Sequence, residues 1–531
     1  MGRGTSLGRR EFAYLFASAI AGVGFRRGLP VVSAAERGSA TQVADPLPPR
    51  PRESPLDWHA RAEAFDRYVM DRKNRVLQTR ADGTLYFASA LEGTGDGGLT
   101  TFAPLALGKI LRGDSTEFLL PSMAAYFSEE YGVFLDGTNA VLCEYWYLMN
   151  VNALAAAIVR ANLSHDSAWT GRVRRSADRM LDLAHQIAYN FNDQGYLFDK
   201  HVPFTHQDVY RQPDAIGGYA YTMLLAYEMF AEPKYLAEAK KAVGLYQSFA
   251  KNPWYEIPSG AMACLAAARL SVRDSSAAGS EIDLQKILGF ALATGGHPLQ
   301  TGEWGGKEVN GLMAGFCTEP EGQAYSMESL MPLLYLLPVL RYRPEFGSVI
   351  GRYVLHAAAN MRLFYADCIP RENQSRPDLT AAVPYERLTK EVDGHSPFAS
   401  GDYGSHRSIY GGAYALAWGE LVKPTEDEQI LQLNVSRSDF LCSGAFASYL
   451  YYNPRDTSKD VTLKLEDGRF DIYDLEEHRF ISKKQRHAVS LSIPSLGARV
   501  VVIVPSDAHL TVEQGRLLGN SLPIDYRHRA T

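Results

Sequence analysis

The apolar residues between positions 56 and 421 recur mostly at helical spacing, and this pattern predicts about twelve helices. Long loops generally enter the even-numbered helices of this series, and shorter loops leave them. This alternation of loop lengths is the basis of the fold prediction. The predicted helical segments are 56–78, 101–111, 117–126, 139–162, 166–190, 214–230, 233–249, 259–270, 283–293, 321–337, 346–364 and 405–421.

The even- and odd-numbered helices differ in how their polar residues are distributed. The sixth and eighth segments, "AIGGYAYTMLLAYEMF" and "GAMACLAAARL", are apolar nearly all round, as is typical of helices buried on both sides. The seventh, "PKYLAEAKKAVGLYQSF", keeps a charged face. We therefore expect the even helices to form an inner ring and the odd helices an outer one, an (α/α)6 toroid. Its inner N-termini would gather beneath the long loops, which usually supply binding residues.

The period changes to two after position 421. The segments "AFASYLYYNP", "DVTLKLEDG", "RFDIYDLEEHRF", "HAVSLSI" and "ARVVVIVP" alternate apolar and polar residues between Asn-Pro, Asp-Gly and Pro breaks. This pattern predicts a small all-β sandwich. The expected fold class is therefore mainly α, with a toroid over 56–425 and a sandwich over 426–531.

The N-terminus resembles a twin-arginine export signal over residues 1–35. Arg9 and Arg10 precede a short apolar run, and "VVSAAE" supplies small residues for cleavage near Ala34 or Ala35. The segment lacks a serine before the arginine pair, so a simple secretory signal or an uncleaved anchor stays open. Residues 36–55 are proline-rich and read as a linker. We expect export to the periplasm or outside the cell.

Composition and charge remove several classes of protein. With 46% hydrophobic and 21% charged residues, the chain is an ordinary globular protein. The formal net charge is -6, and the first 35 residues hold five arginines and one glutamate, so the remainder carries -10. Such a chain is a poor candidate for nucleic-acid binding. The five cysteines form no CxxC pair or zinc spacing, although one disulfide stays possible, and we expect no metal or cofactor.

An exported toroid followed by a sandwich resembles the six-hairpin glycosidase superfamily and its polysaccharide-lyase relatives. The segment from "YLYYNPRDTSKDVTLKLEDG" to "ARVVVIVP" is similar to the C-terminal β-domain of many bacterial glycoside hydrolases. The resemblance covers nearly the whole mature chain and implies an enzyme that acts on an oligosaccharide or polysaccharide. It is architectural, because no motif specific to one family is present, and toroids also occur in terpene cyclases and prenyltransferases.

Glycoside hydrolysis needs a carboxylic acid that protonates the leaving oxygen and a carboxylate that activates water or attacks carbon. The stretch "FTHQDVYRQPDAIGGYA" is the densest polar cluster before an inner helix. Asp214 is its catalytic candidate, although an aspartate there also suits a helix cap. The neighbouring candidates for substrate contact are His206, Tyr210, Arg211 and Gln212.

Two further stretches supply carboxylates at inner-helix starts. In "GFCTEPEGQAYSMESL", Glu319 and Glu321 are catalytic candidates, although Thr318 and Glu321 also have the spacing of a capping box. In "FASGDYGSHRSIYGGAYAL", Asp402 is the catalytic candidate, and a turn with an N-cap at Ser405 is the alternative. The same stretch supplies Tyr403, His406 and Arg407 as candidates for substrate contact.

Three more residues are candidates for substrate contact. Glu144 lies in an apolar segment, where a glutamate should be ion-paired or functional because burying a lone charge is costly. Trp254 and Trp304 lie in loops, where an indole can stack on a sugar, although both can equally belong to the core.

Three hypotheses follow from these observations. The first is an exported glycoside hydrolase, which by analogy with other toroids would invert the anomeric centre. The second is a lyase that cleaves a uronic-acid polymer by β-elimination, a reaction that needs a base and a group to neutralise the uronate. The third is a non-catalytic carbohydrate-binding protein. The groups available to a lyase are Tyr403, His406 and Arg407, or His206, Tyr210 and Arg211.

Overall fold

The computed structural model describes residues 47–273, 282–317, 321–401, 409–439 and 445–528. Five of the predicted site residues lie outside these ranges, namely Glu319, Asp402, Tyr403, His406 and Arg407. The predicted export signal lies outside them as well. The α-helices are α1 (Trp58–Met70), α2 (Gly98–Arg112), α3 (Tyr145–Asn162), α4 (Ser167–Gln186), α5 (Ala215–Phe230), α6 (Pro233–Ser248), α7 (Ile257–Ser271), α8 (Leu284–Ala291), α9 (Ser326–Leu330), α10 (Leu333–Leu336), α11 (Gly347–Asn360), α12 (Ile409–Gly412) and α13 (Ala415–Leu421).

The helices predicted to be inner contact one another in succession, and the contacts return to the first of them. Helix α2 packs on α3, α3 on α5, α5 on α7 and α7 on α10. Helix α9, which directly precedes α10, packs on α12, and α13 returns to α2. Outside this circuit, α1 packs on α13, α6 on α5, and α8 on α7. Every residue of α7 except Ser271 is buried, whereas α4 buries only one face, as the apolar patterns predict.

Glycines in α5 allow the inner helices to approach closely. A Cβ atom added at Gly218 would lie 2.7 Å from Cβ of Met149 in α3. One added at Gly217 would lie 2.7 Å from the carbonyl oxygen of Ser259 in α7. Both distances are shorter than real Cβ contacts allow, so the small residues of α5 are required by its position between two other helices.

Two inner helices begin later than their apolar patterns predict. Helix α3 begins at Tyr145, because Leu142–Glu144 forms strand β5. Helix α9 begins at Ser326, because Gln323–Tyr325 forms strand β10. In both cases the residues before the helix pair with neighbouring loop segments, and that pairing overrides local helical spacing. The predicted third helix is a 3-10 helix, Leu120–Tyr126, with Pro121 in its first turn.

The loops on the helical part form five small antiparallel sheets. They pair β1 with β2, β3 with β4, β8 with β9, and join β5–β6–β7 and β10–β11–β12. The remaining bounds are β1 (Leu77–Thr79), β2 (Leu85–Phe87), β3 (Phe127–Ser128), β4 (Val133–Phe134), β6 (Gly195–Leu197), β7 (Val202–Phe204), β8 (Glu303–Trp304), β9 (Lys307–Glu308), β11 (Arg387–Thr389) and β12 (Phe398–Ser400).

The C-terminal region is rich in strands, as the period of two predicts. A six-stranded antiparallel sheet has the order β13–β14–β15–β20–β17–β18, and β16 pairs with β19. Strands β21, β22 and β23 form a third sheet. The bounds are β13 (Val422–Pro424), β14 (Leu431–Asn434), β15 (Ser448–Tyr452), β16 (Lys459–Lys464), β17 (Phe470–Asp474), β18 (Arg479–Gln485), β19 (Ala488–Ile493), β20 (Ala498–Pro505), β21 (Leu510–Glu513), β22 (Arg516–Gly519) and β23 (Leu522–Asp525).

The six-stranded sheet uses both of its faces. Tyr451 and Val501 belong to an apolar cluster that includes Val461 of β16 and Leu491 of β19. Their neighbours Leu450 and Val500 belong instead to the core shared with the helices. The alternation of side chains along a strand therefore places one face on the small β16–β19 sheet and the other on the helical part.

Helix α11 carries the contact between the helical part and the six-stranded sheet. A Cβ at Gly351 would lie 2.6 Å from Cβ of Tyr452, so the sheet sits directly on the helix backbone. Residues 47–56, the described end of the predicted linker, run along the same helix. Within this N-terminal strap, the carbonyl of Pro48 accepts from His356 and the amide of Leu56 donates to the carbonyl of Ala358.

The described part of the chain contains neither a helix that could cross a membrane nor a disulfide bond. None of its helices is long and apolar enough to cross a membrane. None of its four cysteines, Cys143, Cys264, Cys317 and Cys368, is in a disulfide.

Candidate active site

Carboxylic side chains stand at the starts of successive inner helices. Glu144, Asp214 and Glu256 are the residues directly before α3, α5 and α7. Glu328 lies in the first turn of α9 and is buried. Glu328, Glu144 and Asp214 all lie near enough to act electrostatically on Glu256, so four acids that are far apart in the sequence meet in one region.

Asp214 stands before α5, but its side chain hydrogen-bonds to the residues that precede α7. Its side chain makes no capping hydrogen bond to α5. Instead, Oδ2 accepts from the backbone amides of Tyr255 and Glu256 at 3.1 and 3.3 Å. Asp214 is 1% exposed, so a buried carboxylate fixes the backbone from which the Glu256 side chain projects.

Glu256 is the acid whose surroundings most favour the protonated form. It is 8% exposed, and its buried Oε2 has no hydrogen-bond partner among the described residues. Burial raises the pKa of Glu256 well above its usual value, and the nearby acids Glu328, Glu144 and Asp214 raise it further. A carboxyl in this setting keeps its proton at a pH where an exposed glutamate has lost it.

Glu144 has the opposite kind of environment. Its Oε1 accepts from the side-chain amide of Gln194, and its Oε2 accepts from that of Gln212, both at 3.0 Å. The carbonyl oxygens of the two amides accept from the backbone N–H groups of His206 and Trp146, which fixes their orientation. Two donated hydrogen bonds suit a charged carboxylate.

Aromatic side chains surround these acids. The hydroxyl of Tyr410 donates to the hydroxyl of Tyr147 at 3.2 Å, and the Tyr147 ring stacks on Trp146 with centroids 3.7 Å apart. Burial raises the pKa of Tyr410 well above its usual value, followed by the effects of Tyr147, Glu328 and Glu256. The Tyr410 phenol therefore acts as a neutral hydrogen-bonding group at neutral pH.

A second aromatic wall lies beside Glu256. The ring of Tyr255 stacks against Phe316 with centroids 6.5 Å apart, and Phe316 contacts Tyr325. Burial raises the pKa of Tyr255 well above its usual value, with further contributions from Glu256 and Glu144. The arrangement combines an acid whose pKa is raised, a carboxylate that accepts from two side-chain amides, and apolar ring faces, the kinds of group that glycoside hydrolysis uses.

The structure describes no metal centre at these acids. Among the described residues, no group of three or more His, Cys, Asp or Glu side chains has a geometry that could hold a metal ion.

Of the predicted site residues that the structure describes, three join this cluster and six do not. Asp214, Glu144 and Gln212 are part of it, Asp214 through backbone amides and Gln212 by orienting Glu144. Glu321 is exposed and precedes β10, and the helix begins only at Ser326. The predicted capping box is therefore wrong, because strand pairing separates Glu321 from the first helical turn.

The predicted contact residues before α5 have other partners. Arg211 is paired with Asp208 and Asp193 at 2.9 and 3.2 Å, so its charge is already balanced. Tyr210 packs against the core, and His206 is exposed. This loop contributes to the cluster through the buried Gln212 rather than through its charged side chains.

The two predicted stacking tryptophans are core residues. Trp254 and Trp304 are each 4% exposed. The Trp254 ring meets the edge of His297, and Trp304 belongs to the main apolar core. Neither ring presents an open face to a sugar, so the core alternative describes both of them.

Sequence reasoning missed the residues at the centre of the site. Glu256, Glu328, Tyr147 and Tyr410 are not among the candidates that the sequence predicts. The signal that could have found Glu256 is positional: an acid stands immediately before the small-residue helix α7, as Asp214 does before α5.

No protein-family model matches the chain, and no curated protein matches it. Solved structures with a similar course of the chain include glycoside hydrolases and sugar isomerases or epimerases. A D-mannose isomerase is similar with TM-score 0.42 and 12% identity, over 68% of this chain and 97% of that one.

Two glycoside hydrolases are similar at comparable levels. A family 127 β-L-arabinofuranosidase from Geobacillus stearothermophilus has TM-score 0.38 and 10% identity, over 89% of this chain and 85% of that one. A family 76 mannosidase from Bacteroides thetaiotaomicron has TM-score 0.41 and 9% identity, over 69% and 98%. The activity of this chain has to be argued from its own residues.

Proposed function

We propose that the chain is an exported glycoside hydrolase, an (α/α)6 toroid with a C-terminal β-sandwich, and that Glu256 is its general acid. The observation that carries the proposal is the buried Glu256 carboxyl, which has no ion pair among the described residues and has acids as its strongest electrostatic neighbours. A proton held in this way is available to the leaving oxygen of a glycosidic bond.

Glu144 supplies the second carboxylate of the proposed reaction. Its two amide donors favour the charged form that must activate water or attack the anomeric carbon. Asp214 is a positioning residue, since its carboxylate accepts from the backbone amides of Tyr255 and Glu256. Glu319 and Asp402 remain predicted contributors to the same face of the ring.

The groups found here favour hydrolysis over elimination. A lyase needs a basic side chain that takes a proton next to a uronate, and the raised pKa values of Tyr255 and Tyr410 make both phenols poor bases. The strongest neighbours of Glu256 are acids, which would repel a uronate carboxylate. We therefore expect the substrate to be an uncharged sugar chain.

The test is incubation of the purified mature chain with uncharged and uronic-acid polysaccharides and their oligosaccharides. Reducing ends and the ultraviolet absorbance of unsaturated products are followed together. New reducing ends without absorbance, lost in Glu256→Gln and kept in Glu238→Gln, are the expected result. Absorbance that rises with the reducing ends would replace hydrolysis by elimination, and binding without either signal would leave a carbohydrate-binding protein.

A further inference from the structure

A second cleft lies where three parts of the chain meet. Its volume is about 980 Å³, at the upper end of the roughly 300–1,000 Å³ typical of small-molecule sites. The walls are the N-terminal strap, the β8–β9 hairpin with its flanking residues, and the turn that joins β15 to β16. None of the residues that line it belongs to the Glu256 cluster. Junctions between structural units are common places for ligand sites.

The floor of the cleft is built from buried polar side chains. Glu308 accepts from the backbone amide of Arg52 at 2.7 Å and lies 3.1 Å from Nδ1 of His356, which is fully buried. Asn310 donates to Glu308, and its own Oδ1 accepts from the amide of Gly302 at 2.8 Å. These contacts fix the strap against the hairpin, so the cleft is formed before any ligand arrives.

The rim of the cleft carries exposed charged side chains that are in no ion pair within the described ranges. Arg50 of the strap is exposed, as are Asp456 and Lys459 at the start of the C-terminal sheet. Within the described ranges, none of these three side chains forms an ion pair. Arg52 and Arg455, by contrast, are paired with Glu303 and Asp427. The rim therefore carries a cation on the strap wall, and an acid and a second cation on the wall formed by the turn before β16.

This chemistry selects one class of ligand. An apolar ligand would find only the prolines and Leu496 to pack against, because most of the other lining residues are polar or charged. A polyanion would approach Glu303, Glu308 and Asp456 as well as the basic groups. A polyhydroxylated chain can donate to the acids and accept from the bases at the same time.

We infer that this cleft binds an uncharged saccharide chain, as a second site apart from the Glu256 cluster. The inference takes the kind of ligand from the proposed function, but binding at the cleft does not depend on catalysis. Its role would be to hold a polymer on the enzyme while the first site acts on it.

The experiment compares two double variants in a Glu256→Gln background, which prevents turnover. Arg50→Ala with Lys459→Ala removes the free cations of the cleft. Arg67→Ala with Lys464→Ala is the matched control: Arg67 is exposed on α1, and Lys464 is exposed on the same strand as Lys459. Retardation in native gels that contain soluble mannan, arabinan, xylan, glucan or polygalacturonate measures the affinity for each polymer.

We expect at least one uncharged polymer to retard the parent and the control equally, and the cleft variant about tenfold more weakly, from the loss of two charged hydrogen-bond donors. Equal retardation of both double variants would overturn the inference. So would binding of polygalacturonate alone, or no retardation of the parent by any of the five. An active enzyme with no cleft effect refutes only the second site, and a cleft effect in a chain without hydrolysis refutes only the proposed function.

Discussion

The two ends of helix α7 bury charge in opposite ways. At its N-terminus, Glu256 has acids as its strongest neighbours and an oxygen without a described hydrogen-bond partner. At its C-terminus, Arg269 donates to Asp439, which also accepts from Arg341 at 2.9 Å and from the Tyr342 hydroxyl at 2.6 Å. One helix therefore carries an acid without a described cationic partner at one end and an arginine paired with the carboxylates of Glu228 and Asp439 at the other.

The two ends of α7 therefore have different roles: the N-terminal acid suits catalysis, and the C-terminal ion pairs stabilise the fold. Burial opposes the charge on Arg269, but the carboxylates of Asp439 and Glu228 outweigh that effect and raise its pKa well above its usual value. This network joins the helical part to the segment between β14 and β15, and each charged group in it has an oppositely charged partner. Burying Glu256 without such partners costs stability, and a fold retains that cost where a protonated acid is useful.

The largest expected effect is on activity at the N-terminal end. Replacing Glu256 with glutamine removes the proton but keeps the shape, so we expect turnover to fall by about 10³-fold. The matched control is Glu238→Gln, since Glu238 is also buried but accepts from Tyr219 and Tyr189 away from the cluster. Initial rates on the substrate found in the polysaccharide screen give the comparison. Equal rates in the two variants would remove the distinction between the two ends of α7.

The next effect is on stability at the C-terminal end. Asp439→Asn leaves Arg269 and Arg341 buried with less negative charge, so we expect the free energy of unfolding to fall by about 3–5 kcal/mol. Turnover of the folded protein should be unchanged. Denaturant titration beside Asp378→Asn, which breaks an exposed pair with Arg376, gives the control, at less than about 1 kcal/mol. A similar loss in both variants would contradict a structural role for the buried network.

A smaller effect concerns the stability cost of Glu256 itself. Because its pKa is raised in the folded state, the folded protein keeps a proton that the unfolded chain loses, and the associated stability disappears as the pH rises through the folded pKa. Glutamine does not titrate. Glu256→Gln should therefore gain stability over the parent above the ordinary glutamate pKa, by about 1.4 kcal/mol for each pH unit up to the folded pKa. Melting curves at several pH values measure the gain, and a variant that is less stable at every pH would be the opposite result.

The smallest expected effect distinguishes two roles of Asp214: its hydrogen bonds to backbone amides and the influence of its charge on Glu256. Asparagine retains an acceptor for the amides of Tyr255 and Glu256 but removes a negative charge that raises the pKa of Glu256. The alkaline limb of the pH–rate profile should then move about half a pH unit lower, with little change on the acidic side. Asp214→Ala also removes the acceptor and should lower the rate at every pH. A profile that does not move in Asp214→Asn would show that Asp214 acts only through the backbone.

The sequence predicts most of the helical part because burial on two sides leaves a clear pattern. The small residues of α5 and the apolar surface of α7 specify inner helices, and both elements lie close to their predicted bounds. The starts of α3 and α9 do not follow from local spacing, since strands β5 and β10 pair with segments far along the chain.

The site itself is only partly predictable for a similar reason. Asp214 was selected from the polar residues around it, but its contacts lie 41 and 42 positions away, at the start of another helix. Glu256 stands in an ordinary loop sequence, and its properties arise from Glu328 and Glu144, which other helices bring near. Local composition finds such acids, but only the packing of the helices decides which of them stays protonated.

Measuring the protonation state of Glu256 is the most direct test of its role as the general acid. Infrared difference spectra of the parent against Glu256→Gln at neutral pH report the C=O stretch of a protonated carboxyl group. We predict one such band in the parent that is lost in Glu256→Gln and retained in Glu238→Gln. A parent spectrum without that band would show that Glu256 is ionised, and would contradict its assignment as the general acid.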